Sequence, residues 1–521
     1  MFKNYKLSAN LLFLLIILAA TAFTAVLYSC NNKPAAPTLE DEIADGKELA
    51  KRYCSACHQL PDPSQLDRKS WEKGVLPAMA GRLRLHSYMG QYYADRESFI
   101  TVADWGKIAA YYKNTAPANL VIPKHAITPL NDWAIFKAIR PEKTDTSGPP
   151  AMTTFVGYNT LDQKIYSGDA SNNLLVWDNN LNSKLVRKMA SPVTGAMFFK
   201  NDANVNTGIF TCIGVLPPLD QEKGKVIQLT LDNNTKDSVI LGDNLPRPVQ
   251  TVAADFNKDG LMDYVVCGFG HEKGGLYLLQ QQANHQFKKV TIRNAPGGEQ
   301  LITGDFNNDG WPDVMCLFAQ ADEGIWMFLN DHKGGFVQQA LLQFPAIYGS
   351  SSFQLVDFNH DGKPDILYTC GDNTDYSPVL KPYHGVYIFT NDGNWHFEQT
   401  YFYQINGCTK AIAEDFDHDG DLDIAAIAFF ADFKYHPQEG FIYLEQTKPN
   451  QFTAHQIPIN KYGRWISMAV ADIDHDGYDD IILGNFSFPG SRGQVNQKGF
   501  TPDWDKHEPI IVLKNIAGEK H

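Results

Sequence analysis

The sequence predicts two unlike folds in one multidomain chain, a small all-α domain followed by an all-β propeller of seven blades. Two observations carry that prediction. Apolar residues recur at helical spacing within residues 39–117, and from about residue 151 the chain repeats itself in units of roughly 50–60 residues. The 521 residues, 44% of them apolar, are enough to bury a core in each part.

The chain opens with Lys3 and Lys6 ahead of a nearly unbroken apolar run from Leu11 to Tyr28, so residues 1–29 read as an export signal and not as fold. The run ends at Leu27-Tyr-Ser-Cys30, which resembles the lipobox of bacterial lipoproteins. That resemblance implies a lipid on Cys30, and a protein tied to a membrane of the bacterial cell envelope, facing the periplasm or the cell surface. An uncleaved signal anchor is the alternative, because about 18 apolar residues can just span a bilayer. Residues 30–38 read as a tether.

In the first domain, residues 39–117, Ile43, Gly46, Leu49, Ala50 and Tyr53 share one helical face, and Thr38 with Asp41 supplies a cap. A second helical pattern runs through Phe99, Val102, Trp105, Ile108 and Tyr112 and stops before Pro117. Directly after the first comes Cys54-Ser-Ala-Cys57-His58. Two thiols three apart with an adjacent imidazole form the attachment pattern of a covalent c-type haem, and composition alone would give about 0.004 such pentads. Cys54 and Cys57 would add to the porphyrin vinyl groups, and His58 would bind the iron. A second CxxC, which a four-thiolate zinc site would need, is absent from the sequence. The pentad between two helices resembles a class I cytochrome c over about 75 residues. Its sixth iron ligand would be Met79 in the first place, with Met89 as the alternative and His86 or an open position after them. Pro77 is expected to break the helix that places Met79 on one face with Trp71 and Val75, which would displace Met79 onto a loop.

Residues 118–150 read as a linker and 151–518 as the propeller. Five segments of the latter share the form D-x-[ND]-x-D-G-x-x-D, each between two apolar runs. Positions 1, 3, 5 and 9 are Asp255, Asn257, Asp259 and Asp263 in the first; Asp305, Asn307, Asp309 and Asp313 in the second; and Asp357, Asn359, Asp361 and Asp365 in the third. They are Asp415, Asp417, Asp419 and Asp423 in the fourth, and Asp472, Asp474, Asp476 and Asp480 in the fifth. Alternating carboxylates can turn toward one point when the chain curls, and glycine at position 6 permits the turn, so the spacing suits about five Ca²⁺ ions in a structural role. Solvated turns without metal are the bland alternative. A third strand follows each loop, as in Gly275-Leu-Tyr-Leu-Leu279, and a fourth, less regular one follows in most units. Two units without the acidic loop precede these five, around Lys164–Trp177 and Ala196–Leu229. The repeats resemble the FG-GAP/VCBS family of calcium-loop propellers, over about 370 residues.

The formal net charge is −14, and 17 carboxylates stand at the four ligand positions of the five loops, so the acidity is mainly theirs and a nucleic-acid partner is not expected. Cys212, Cys267, Cys316, Cys370 and Cys408 read as small core residues. On the face opposite the loops, Arg247, Gln250, Glu299, Tyr348, Lys410, Arg464 and Trp465 could line a pocket or a plain ring mouth. Three functions follow. The first is an electron-transfer lipoprotein with one covalent haem c, a redox partner protein in the envelope and the propeller as docking platform. The second is an oxidoreductase whose propeller binds a substrate or second cofactor and passes electrons to the haem. The third is calcium-dependent adhesion or binding of a small molecule or glycan.

Overall fold

The computed structural model describes residues 16–18, 38–125, 127–142, 147–201, 203–231, 238–374, 376–487 and 500–520. Cys30, nearly all of the export signal and the tether up to residue 37 lie outside these. Among the described residues no helix is long and apolar enough to cross a membrane.

The opening helix, Leu39–Cys54, starts at the expected cap: the Thr38 hydroxyl accepts from the Asp41 backbone N–H, and the Asp41 carboxylate accepts from the Thr38 N–H at 2.9 Å. It packs on the closing helix, Val102–Thr115, at Gly46, where a Cβ would lie 2.1 Å from the Lys107 carbonyl. Only glycine lets the two backbones approach so closely. Between these helices the chain departs from the all-α expectation. Leu85–Tyr88 and Gln91–Ala94 pair as an antiparallel hairpin. Met89 at φ 48° and Gly90 at φ 80° form its two-residue turn, and the flanking tyrosines favour strand.

Pro77 also acts differently from expectation. The helical segment Trp71–Val75 widens to i→i+5 bonding, with the Leu76 N–H reaching the Trp71 carbonyl, and Leu76–Arg82 continues as α-helix. Pro77 falls at the start of that final segment, where a missing N–H costs little. Met79 is therefore helical, not on a loop. It is half-buried against a core of Ala50, Trp71, Val75, Trp105, Ile108 and Tyr112.

The remainder is a seven-bladed propeller of four-stranded antiparallel sheets. Blades one to six span residues 153–188, 193–245, 248–293, 298–343, 350–404 and 410–455. Blade seven takes three strands from residues 465–515 and its outermost, Phe136–Ile139, from the stretch expected as linker. That strand is a correction to the 118–150 linker, and its length explains why sequence missed it: four residues carry little periodicity. Phe136 is 1% exposed and meets the rings of Phe416 and Tyr443 edge-on, so the ring is closed by an N-terminal strand docking into the C-terminal blade.

Each blade's first strand faces the ring axis and touches its neighbours on both sides. Polar side chains on these strands bridge the junctions. The Thr154 hydroxyl donates to the Val193 carbonyl at 2.6 Å, and that of Thr194 to Val249 at 2.9 Å. The Gln250 amide oxygen accepts from the Leu301 N–H, Gln300 pairs with both backbone groups of Phe353, and Gln354 does the same with Ala413. Lys410 Nζ donates to the Met468 carbonyl at 3.0 Å. Two residues expected as pocket lining, Gln250 and Lys410, thus hold blades together, and Trp465 is core at 2% exposure. Cys212, Cys267, Cys316, Cys370 and Cys408 are buried free thiols, in keeping with a packing role.

Candidate functional site

The opening helix delivers Cys54, and one further turn, closed by the Cys57 N–H on the Cys54 carbonyl at 3.3 Å, presents Cys57 and His58. Both thiols are free; Cys54 is half-buried and Cys57 exposed. Burial, and secondarily Cys57, pushes the Cys54 thiol up to about 11. It stays protonated at neutral pH, unlike the attacking thiol of a redox dithiol, whose pKa is depressed. The His58 Nδ1 lies 2.7 Å from the Gln59 carbonyl oxygen. A carbonyl only accepts, so Nδ1 carries a hydrogen, and it is Nε2 that is left for a metal to bind, the arrangement common in metal-binding histidines.

Behind this turn sits a stack of rings. Trp71 and Tyr112 have centroids 4.2 Å apart, and Tyr111 lies 5.0 Å from Tyr112. The Trp71 indole donates to the Pro63 carbonyl and the Tyr112 hydroxyl to that of Pro61. Trp105 Nε1, fully buried, finds no acceptor among the described residues. On the same domain Tyr88, Met89 and Phe99 are 67%, 87% and 60% exposed. Two free thiols, a correctly tautomerised imidazole, an orphaned buried donor and uncovered apolar side chains fit a covalently attached porphyrin. Met79 is committed to its helix and core, whereas Met89 stands at the hairpin tip. His86 is engaged by the Asp95 carboxylate at 2.6 Å. Arg82 pairs with Glu272 of the propeller and Arg84 with Glu97.

The five acidic loops adopt one conformation. Position 4 (Lys258, Asn308, His360, His418, His475) has φ between 55° and 63°, and the glycine at position 6 has φ between 81° and 95°. In every loop the position-1 carboxylate accepts from the glycine N–H, for instance Asp255 from Gly260 at 2.9 Å. In blades six and seven, carboxylate oxygens of Asp415, Asp417 and Asp419, and of Asp472, Asp474 and Asp476, lie within 4.8 Å of one another. In blades three and four the asparagine at position 3 instead donates its amide to position 5, Asn257 to Asp259 at 2.8 Å and Asn307 to Asp309 at 2.7 Å. Basic groups lean on several loops, Lys514 reaching Asp474 at 2.6 Å and His332 reaching Asp309 at 2.8 Å.

Position 9 has a task the sequence did not reveal. Asp263, Asp313, Asp365, Asp423 and Asp480 are at most 1% exposed. Each accepts a backbone N–H from the end of the blade's third strand: Gln281, Asn330, Asn391, Gln446 and Asn515. These carboxylates staple loop to sheet and retain lone pairs toward the loop. Burial, above other causes, raises Asp263 to about 6 and Asp423 and Asp480 to about 7.

The opposite mouth is less regular. Glu299 there is half-buried; desolvation raises it to about 7, with Arg247 partly offsetting this and Asp372 adding to it. Arg247 donates to the Leu216 carbonyl and covers Phe269, and Arg464, 1% exposed, lies flat over Phe429 at 3.5 Å. On this face the helical domain docks. Ile347 and Val379 pack on its core, and a Cβ on Gly74 would stand 1.9 Å from the Tyr376 carbonyl. The inner-strand bridges had a faint sequence signal, glutamine five residues before the first two acidic loops, but nothing in the sequence marks the docking face.

The chain carries FG-GAP repeats. A model described as FG-GAP-like repeat matches residues 255–316 and 305–368, and one described as FG-GAP repeat matches 464–495. No curated protein matches the chain. Among solved structures, an ancestral GH74 enzyme aligns at 12% identity and TM-score 0.44, over 74% of this chain and 50% of its own. The chain thus spans about half the length of that enzyme. The WD40 propeller of Doa1 aligns at 11% and 0.42, over 73% and 97%, and the Myceliophteria thermophila Cps50 (Swd1) propeller at 10% and 0.40, over 72% and 99%.

Proposed function

We propose that this protein is a membrane-tethered c-type cytochrome that transfers electrons in the bacterial cell envelope, with a calcium-stabilised propeller as its docking platform. The observation that carries the reading is the Cys54–His58 turn, with the His58 Nδ1–H held on the Gln59 carbonyl. Cys54 and Cys57 would hold the haem through thioethers, and His58 Nε2 would be the proximal ligand. Of the two methionines, Met89 is the better candidate for the far side, because Met79 is packed in its helix. A haem so ligated supplies one-electron transfer.

The chain's own residues prepare that site. The Gln59 carbonyl orients the imidazole, and burial keeps the Cys54 thiol protonated until it is consumed. Trp71 and Tyr112 wall the motif from below. The acidic loops would take Ca²⁺ through positions 1, 3 and 5, with position 9 closing the shell from the sheet. Lipidation at Cys30 would place the assembly beside a redox partner protein at the membrane.

Intact mass and a reduced optical spectrum of the purified native protein test the reading. One covalent haem is expected, and Cys57→Ala should abolish the two-thioether attachment. An unmodified polypeptide mass from cells competent in haem attachment would overturn it.

A further inference from the structure

A cavity of about 320 Å³ opens at the junction of blades four and five, walled by Phe344, Tyr348, Tyr383, Tyr387 and Phe402, with Gln399 at its rim. Its rings lie in layers. Tyr348 and Tyr383 stack at 4.5 Å with 14° between their planes, and Phe344 stands nearly parallel to Tyr348 at 5.9 Å. Tyr387 leans on Phe402 at 4.5 Å.

The preceding junction shows what an unused version looks like. Trp326 occupies in blade four the register position of Tyr387 in blade five, each two residues into the third strand after its opening glycine. Over Trp326 lies the Arg293 guanidinium, 3.9 Å from the ring centroid and bonded to Asp322 at 2.9 Å. That cation plugs the junction between blades three and four. At the junction between blades four and five no charged side chain lines the space among the described residues, and the cavity stays open beside its packed rings.

The polar groups decide the kind of occupant. The Tyr383 hydroxyl is spent on the Ile347 carbonyl, that of Tyr387 on the Tyr383 carbonyl, and that of Tyr348 meets the Gln65 side chain of the helical domain. A sugar needs several convergent donors and acceptors, and an ion needs an opposite charge; beyond the Gln399 amide the lining side chains offer only tyrosine oxygens whose hydrogens are already donated elsewhere. An aromatic wall of this kind does suit a flat apolar ring laid against it in the open space.

We propose that the cavity between blades four and five is a binding site for a planar, uncharged aromatic or quinonoid ring. It sits beside the docked helical domain, since Tyr348 contributes to both. Ring binding goes beyond the haem reading and does not depend on it.

Equilibrium dialysis of the full chain against 2-naphthol tests this, with methyl glucoside as a polar ring of similar size. The naphthol should bind, the glucoside should not, and Gln399→Trp at the exposed rim or Phe402→Ala in the wall should weaken binding about tenfold or more. Gln399→Trp should leave the melting temperature unchanged, which separates occlusion from unfolding. No naphthol binding by the wild type, undiminished binding by both variants, or preference for the glucoside would each overturn the proposal. A Cys54→Ala/Cys57→Ala variant, which has neither thiol for a thioether, should bind naphthol like the wild type, so failure of the haem reading and failure of this one give different results.

Discussion

On one face of the ring five turns repeat the same dihedral angles, with a left-handed residue at position 4, glycine at position 6 and a buried carboxylate at position 9. On the other, unlike loops carry Arg247, Glu299 and Tyr376 and receive the helical domain. The repeated face puts its charges where backbone N–H groups and cations can satisfy them. The irregular face buries ionisable groups at a cost and leaves an aromatic cavity open. Repetition there serves the scaffold, and departure from repetition marks where ligands and domains are met.

The sharpest way to break this comparison is to strip calcium. If the repeated face is a metal scaffold, EGTA should lower the melting temperature of the propeller, since each site filled at a hundredfold excess over its Kd is worth about 2.7 kcal/mol. An unchanged melting temperature in EGTA would leave the turns as plain hydrogen-bonded loops. Within that effect, Asp417→Asn and Asp474→Asn should reduce the calcium response, because they remove a gathered carboxylate.

Next in size is closure of the ring. Phe136→Ala deletes a ring 1% exposed between Phe416 and Tyr443, and should cost about 3–5 kcal/mol in denaturant unfolding of the propeller. A loss near zero would mean that blade seven holds without its N-terminal strand.

Smaller, and confined to the irregular face, is Gly74→Ala. A Cβ there cannot coexist with the Tyr376 carbonyl, so the helical domain should undock and its boundary become sensitive to protease while propeller unfolding is unchanged. Protection equal to wild type would show that the interface yields.

The smallest expected effect is on pH dependence. Glu299 has an ordinary value of 4.5 when unfolded and is raised to about 7 in the fold, mainly by desolvation. The folded state therefore holds the extra proton between these values. The stability this contributes is complete below about pH 4.5 and is lost as pH rises through about 7. Glu299→Gln should flatten the fall in melting temperature between pH 5 and pH 8; an identical pH profile would place the carboxyl in bulk water.

Much of the molecule was legible in sequence because its determinants are local. The Thr38–Asp41 cap, the helix faces around Ala50 and Ile108, and the pentad after Tyr53 each fall within a few residues, where spacing alone fixes geometry. The acidic loops were legible for the same reason, repeated five times. Local pattern failed where partners are distant. Four residues at Phe136 became a blade strand only by meeting Ile510–Asn515, and Pro77 stayed helical because a wider turn upstream absorbed the missing hydrogen bond. Gln250 and Lys410 looked like pocket lining until neighbouring blades supplied backbone partners.

By itself, then, the sequence determined the Cys54–His58 pentad, the repeat that builds each blade and the turns that crowd carboxylates together, since all are short-range consequences of residue order. Only the tertiary structure decided that the seven-bladed ring closes through an N-terminal strand, that the helical domain rests on the face away from the acidic turns, and that an aromatic cavity opens between blades four and five. The first two outcomes depend on contacts between residues hundreds of positions apart, and the third on rings from separate strands and loops, which packing selects and spacing does not encode.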